Sequence, residues 1–283
     1  AAKHEAFVRH RASYYQAGAP LLAAGTRLQA SEIAVLAAAQ CDHVTVYRRP
    51  RVAILSTGSE LVTIDQPLQP GQIVDSNQYA LAALIAQAGA EPIRLGIVPD
   101  EPEALKAAIA AAMQSADVII SSGGVSVGDY DYVETILADL NATIHIRAVA
   151  IKPGKPLTVA TASSTLYFGL PGNPVSALVT FWRFVQPALR KLSGLASPWG
   201  PTIVSAKTRH PLKSDGKRET YVWGRLHLIA GQYEFEVAGG SQISGNLINL
   251  TGTTGLAIIP VGQTEIAAEA TVQVLQVGSV LGN

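Results

Sequence analysis

Asp117-Val118-Ile119-Ile120-Ser121-Ser122-Gly123-Gly124-Val125-Ser126-Val127-Gly128-Asp129-Tyr130-Asp131 decides the fold. A short β-branched run ends in paired glycines and then enters a helical pattern, which reads as a buried strand, a glycine turn and a helix. Upstream, residues 51–56 read as an earlier strand. A helix from about Asn77 carries Leu81, Leu84 and Ile85 on one face and stops at Gly89, and residues 93–98 read as the next strand. Asp100 and Glu103 are spaced as a capping box for a helix with a Leu105, Ile109, Met113 stripe. Alternation of this kind predicts parallel strands joined by right-handed crossovers, with ligands bound outside the carboxyl ends of the strands.

Working outward, residues 144–150, 157–160 and 166–168 read as further strands. A long helix follows, with Asn173 as its cap, Pro174 at its first position, a Leu178, Trp182, Val185, Leu189 face and Gly194 at its end. Pro198 and Pro201 mark a change of character. Beyond them, runs at 221–223, 226–229, 233–237, 256–259 and 271–277 predict a small β barrel or sandwich. Ahead of residue 49, Ser31 is placed as a helix cap and residues 43–47 as a strand. The expected class is α/β: a three-layer domain with a parallel or mixed sheet, then a C-terminal barrel-like β domain. The expected divisions are 1–48, a remnant of an N-terminal linker and dimer region; 49–196, the α/β domain; and 197–283, the β domain.

The chain has 283 residues, of which 48% are hydrophobic and 15% charged, enough for a sizeable core. Lys and Arg total 21, as do Asp and Glu, so no broad positive field exists to attract nucleic acid, and any anion site must be local. One cysteine, Cys41, excludes an internal disulfide or thiolate cluster and is expected to be a small buried hydrophobe. No apolar run reaches spanning length, so the expectation is a cytoplasmic protein with neither membrane nor nucleic-acid partners. The six histidines show no ligand spacing.

Four features carry chemistry. The Ser122-Gly123-Gly124-Val125-Ser126 turn lets backbone amides approach an anion. Glu60, Asp100, Asp129 and Asp131 follow successive strands, so their carboxylates gather at one sheet edge and suit a hard cation such as Mg²⁺. Lys152-Pro153-Gly154-Lys155-Pro156 sets two lysines about a stiff turn, with Arg147 adding positive charge nearby, a clamp for an oxyanion. Gly169-Leu170-Pro171-Gly172-Asn173-Pro174 presents a helix start to a ligand.

These motifs, in this order and with Ser56-Thr57-Gly58-Ser59-Glu60-Leu61 and Gly71-Gln72-Ile73-Val74-Asp75-Ser76-Asn77 before them, resemble the molybdopterin molybdenumtransferases over nearly the whole chain. The resemblance implies an enzyme of molybdenum cofactor biosynthesis that inserts molybdenum from molybdate into adenylylated molybdopterin, releasing AMP with Mg²⁺ assistance. By motif it implies Glu60, Asp100, Asp131 and Lys152 as catalytic residues, the three carboxylates also holding the metal. It further implies Thr57, Gly58, Ser122, Gly123, Gly124, Ser126, Lys155, Pro156, Pro171, Pro174, Arg218 and Ser244 as binding residues. A homodimer is implied, as is the molybdopterin adenylyltransferase as a partner. Two departures stand out: Ala12-Ser13-Tyr14 where the family often has Gly-x-Asp, and Trp223 where a second arginine often stands. The family also carries about one extra N-terminal domain, so this chain is expected to fold and bind ligand but to turn over slowly. Two alternatives are a non-catalytic scaffold of the same fold and a nucleotide or pyrophosphate hydrolase. The first needs none of the lysines or carboxylates, and the second does not account for the β domain or the lysine loop.

Overall fold

A computed structural model of the chain describes residues 8–124, 132–240 and 242–280. A first helix, α1 (Ala30–Ala38), precedes the alternating region. Its cap is Gln29, not Ser31, because Glu32 reaches back to the Gln29 amide at 2.9 Å. The expected strand at 43–47 does not form: no described strand pairs with these residues, and Val44, Val46 and Tyr47 are exposed. Cys41 is exposed as well, its thiol donating to the His43 carbonyl, so it does not pack as a core residue.

Ten elements then follow: β1 (Arg51–Thr57), β2 (Leu61–Val62), β3 (Ile73–Val74), α2 (Asn77–Gln87), β4 (Glu91–Val98), α3 (Pro102–Met113), β5 (Val118–Ser122), α4 (Tyr132–Asp139), β6 (Thr143–Ala148) and β7 (Ile151–Lys152). Next come β8 (Pro156–Ala162) and β9 (Thr165–Leu170), and then α5 (Pro174–Thr180), which runs through a π-helical stretch, Phe181–Val185, into α6 (Gln186–Leu192). The main sheet has the order β4-β1-β5-β9-β8-β6. Strands β4, β1, β5 and β9 are mutually parallel; at one edge β8 runs antiparallel to β9, and β6 antiparallel to β8.

Alternation along the central strands builds the three layers. Val52 and Ile54 of β1, with Val118 and Ile120 of β5, join Leu81, Ile85 and the α5–α6 residues in one apolar cluster. Their neighbours Ala53, Leu55 and Ile119 point the other way, to Leu105, Ile109 and Leu137 of α3 and α4. A strand covered on both faces has no solvated side, hence the unbroken apolar runs in the sequence.

The C-terminal strands are β10 (Ile203–Thr208), β11 (Leu212–Lys213), β12 (Glu219–Ile229), β13 (Gln232–Val237), β14 (Gly255–Ile259), β15 (Glu265–Ile266) and β16 (Thr271–Gln276). Five of them close on themselves in the order β13-β10-β16-β14-β12, with β12 pairing back to β13. This barrel has its own interior, including Phe235, Ala257 and Val274. The larger cluster, however, crosses from the α/β layers into the barrel through Ile151, Tyr221, Trp223, Leu256 and Leu275. The two-residue strand β7 also leaves the first sheet's region to pair with β12, Ile151 opposite Glu219 and Lys152 opposite Thr220.

The segment ahead of β1 is tied down by one carboxylate. Asp117 accepts both Arg48 guanidinium nitrogens, at 2.8 and 2.7 Å, and the Arg51 amide at 2.7 Å. These contacts, Arg48 first, hold the Asp117 carboxyl below its ordinary range. A depressed carboxylate contributes stability above the unfolded value of about 4 and loses it as pH falls through the folded value. Asp117→Asn is therefore expected to lower stability at neutral pH by about 1 kcal/mol, a modest figure because the pair is partly exposed. The deficit should shrink below about pH 4. Denaturation across pH checks it, and a constant difference between pH 7 and pH 3 would rule the ion pair out as its source.

Candidate functional site

The carboxyl ends of β1 and β5 make one half of the site. Ser56 lies opposite Ser122 in the parallel register, which brings Thr57 beside Gly123. Gly123 sits at φ +88° and donates its amide to the Leu170 carbonyl at 3.2 Å. A Cβ there would meet the Thr57 carbonyl oxygen at 2.2 Å, so only glycine fits. Gly124, at φ +68°, would likewise drive a Cβ into the Thr57 methyl. The glycine turn predicted at this point is thus fixed by β1, while Ser126 and Asp131 lie outside the described residues.

Two carboxylates border the same edge. Asp100 accepts from the Thr57 hydroxyl at 3.2 Å. It is not the cap of α3: Pro102 takes the first helical position and Glu101 the cap, so the expected capping box does not form. Glu60 folds back over Gly58, where an added Cβ would lie 2.7 Å from its carboxylate oxygen. Glu60 and Asp100 therefore lean on consecutive residues, Gly58 and Thr57. Among the described residues no three acidic, histidine or cysteine side chains gather as a metal cage. Two hard oxygen donors without a cage nevertheless fit Mg²⁺, which is ordinarily held by one or two carboxylates with phosphate and water completing its shell.

The other half is a cleft of about 830 Å³ between the main sheet and the barrel. Lys152, Lys155, Pro156, Arg218 and Ser244 line it together, with Asn173, Ser176, Lys213 and Trp223. Pairing of Lys152 with Thr220 explains why Arg218 is at hand, since β12 begins one residue later; the Arg218 guanidinium donates to the Ile151 carbonyl at 3.3 Å. Arg147 does not join them: it pairs with Glu134 at 3.1 Å, so its charge is already compensated. Trp223, the departure from the arginine that the resemblance implies, is 1% exposed, and its indole N–H meets no acceptor among the described residues.

The loop from Leu170 to Pro174 joins the halves. Pro171 is buried, Gly172 lies against Gly123, and Asn173 lines the cleft. Asn77, at the start of α2, donates its side-chain amide to the Ser122 hydroxyl at 2.7 Å and to the Gly172 carbonyl at 2.8 Å. At α5, Asn173 makes no side-chain cap; Pro174 has no amide, and the Val175 amide donates to the Ser244 carbonyl at 3.1 Å. The start of α5 therefore anchors the barrel loop carrying Ser244, and this first free amide is not available to an anion. Tyr221, which also lines the cleft, donates to Glu219 and accepts from Arg183 at 2.9 Å; burial raises its phenol well above the ordinary range. The sequence places Asn77 at a helix start and within the 71–77 motif, but nothing in spacing marks it as the strut between two loops, and nothing marks the Tyr221 relay.

Residues 53–191 match the model of the probable molybdopterin binding domain, and residues 205–277 match that of the MoeA C-terminal region, domain IV. A molybdopterin molybdenumtransferase from Nostoc sp. is 64% identical over 273 residues, covering 95% of this chain and 63% of the relative. The chain belongs to the molybdopterin molybdenumtransferase family. Another member, from Bacillus subtilis, is 35% identical over 260 residues, covering 92% of this chain and 60% of its own length. The crystal structure of a molybdopterin biosynthesis MoeA protein from Pyrococcus horikosii superposes with a TM-score of 0.77 at 30% identity, over 90% of this chain and 61% of that one. This molybdenumtransferase-family chain thus spans about three fifths of the length of the relatives it matches. No described helix is long and apolar enough to cross a membrane.

Proposed function

We propose that the chain inserts molybdenum from molybdate into adenylylated molybdopterin, with release of AMP. The observation that carries this reading is the joining of a glycine turn bordered by carboxylates to a cleft lined by Lys152, Lys155 and Arg218, through one short loop. Beyond Gly123, whose amide is given to the Leu170 carbonyl, the glycine turn offers close backbone approach to the phosphoanhydride of the nucleotide. The two lysines and Arg218 offer a small tetrahedral dianion charge-assisted donors from several sides, with the Ser244 hydroxyl beside them. Pro156, Pro171 and Pro174 stiffen the segments that carry these groups. Glu60 and Asp100, with Asp131 by motif, would hold Mg²⁺, which supplies charge neutralisation as AMP departs. A scaffold would have no use for cations and carboxylates set out in this way.

The family relationship also supports a homodimer, the molybdopterin adenylyltransferase as supplier of the adenylylated pterin, and a cytoplasmic site of action. Exposed Ile33, Val35, Val44, Val46 and Tyr47 give the segment before residue 49 an apolar surface suited to a partner. The division at residues 48 and 196 belongs to the same proposal. Asp100→Asn keeps an acceptor for Thr57 while removing charge, and should slow single-turnover AMP release by about tenfold or more at limiting Mg²⁺. Equal release by wild type and variant across a Mg²⁺ titration would refute the carboxylate role.

A further inference from the structure

We propose that Asp215 is a built-in competitor for the oxyanion cleft, holding Lys152 until an incoming dianion displaces it. This rests on the oxyanion reading of the cleft.

Lys152 Nζ donates to Asp215 Oδ2 at 3.0 Å, with the two side chains 46% and 36% exposed. The other carboxylate oxygen, Oδ1, accepts the Lys217 amide at 3.0 Å. That turn holds the carboxylate in place between Lys213 and Arg218, both of which line the cleft. None of the described cleft-lining residues is acidic, so Asp215 is the negative group through which a cleft cation is answered from outside the lining. The Lys217 amide, and then Lys152, keep its carboxyl below the ordinary range, so it remains charged at neutral pH.

An exposed ion pair of this kind is weak. A tetrahedral dianion facing Lys152, Lys155 and Arg218 makes several charge-assisted contacts and outcompetes a single carboxylate. An anion that draws the Lys152 ammonium away from Asp215 gives up that contact, and one that shares the ammonium with Asp215 lies beside a second negative charge; either way the carboxylate opposes its binding. Asp215 therefore weakens capture and hastens release, which suits a site that must give up its oxyanion to a second substrate. It tunes affinity as a positioning residue that acts through Lys152.

The test is calorimetric titration with sodium tungstate of wild type, Asp215→Asn, Lys155→Ala, Lys152→Gln and the Lys152→Gln/Asp215→Asn double variant. Asparagine retains an Oδ1 acceptor for the Lys217 amide, so the turn survives while the charge goes; Asp215→Ser provides a second variant with a turn acceptor. The expected result is about fivefold tighter binding in Asp215→Asn, with the gain lost in the Lys152→Gln background. Damage to the loop would weaken binding, so the sign separates competition from a structural role. Unchanged or weaker affinity in both Asp215 variants, with Lys155→Ala still impaired, overturns the competitor and leaves the cleft standing. A gain that persists without Lys152 also overturns it. Absence of tungstate binding by every protein overturns the oxyanion reading and the competitor together.

Discussion

Gly123→Ala is expected to destabilise the protein by about 2–5 kcal/mol, combining a left-handed backbone with an overpacked contact. Its φ of +88° costs any side chain, and the added Cβ would stand 2.2 Å from the Thr57 carbonyl oxygen. Neither group can step aside. Thr57 is held by β1, and the Gly123 amide is bonded to Leu170. Relief would require the carboxyl ends of β1 and β5 to separate, which also dismantles the edge where Asp100 and Glu60 lie. Against a total of about 5–15 kcal/mol for a folded domain, this is a large loss. Urea denaturation checks it, with Gly200→Ala as a control, because an added Cβ there meets nothing within 4 Å. A midpoint for Gly123→Ala equal to that of the control would refute the close approach.

Lys155→Ala should weaken tungstate binding by about 1.5–3 kcal/mol, or roughly 10- to 150-fold, the range for a hydrogen bond to a charged group. Lys152→Ala should also weaken binding, by less, because the wild-type lysine must give up its contact with Asp215 to hold the anion and the variant has no such contact to lose. Both lysines are exposed, so neither change should alter the denaturation midpoint appreciably. Calorimetry on the two variants decides the matter: affinities equal to wild type in both would remove the lysine clamp from the site.

The parallel strands were legible because burial on both faces leaves no polar alternation: 52–55 and 118–120 read as strands on composition alone. At 43–47 the opposite pattern, Val44 and Val46 alternating with polar residues, suits a strand, but no described strand edge pairs with it. Asp100 was misread as a cap because the spacing to Glu103 fits, while Pro102, which prefers the first helical position, moves the cap to Glu101. Strand β10 escaped notice because it is largely exposed between prolines and gains its partners only when the barrel closes. The lysine loop and glycine turn were visible as local motifs. Asp215 and Asn77 were not, since each acquires its role through contacts 63 and 95 residues away in the chain.

The placement of β7 has a mechanical consequence. Lys152 is knitted into the barrel through Thr220, whereas Pro156, directly after Lys155, begins a strand of the main sheet. The two charges of the clamp are therefore carried from different sides, Lys152 on the barrel and Lys155 at the start of β8, with Pro153 and Gly154 between them. Any rocking of the barrel against the sheet would open or narrow the gap between the two ammonium groups, so the proposed grip on an oxyanion would become a gauge of the angle between the two halves.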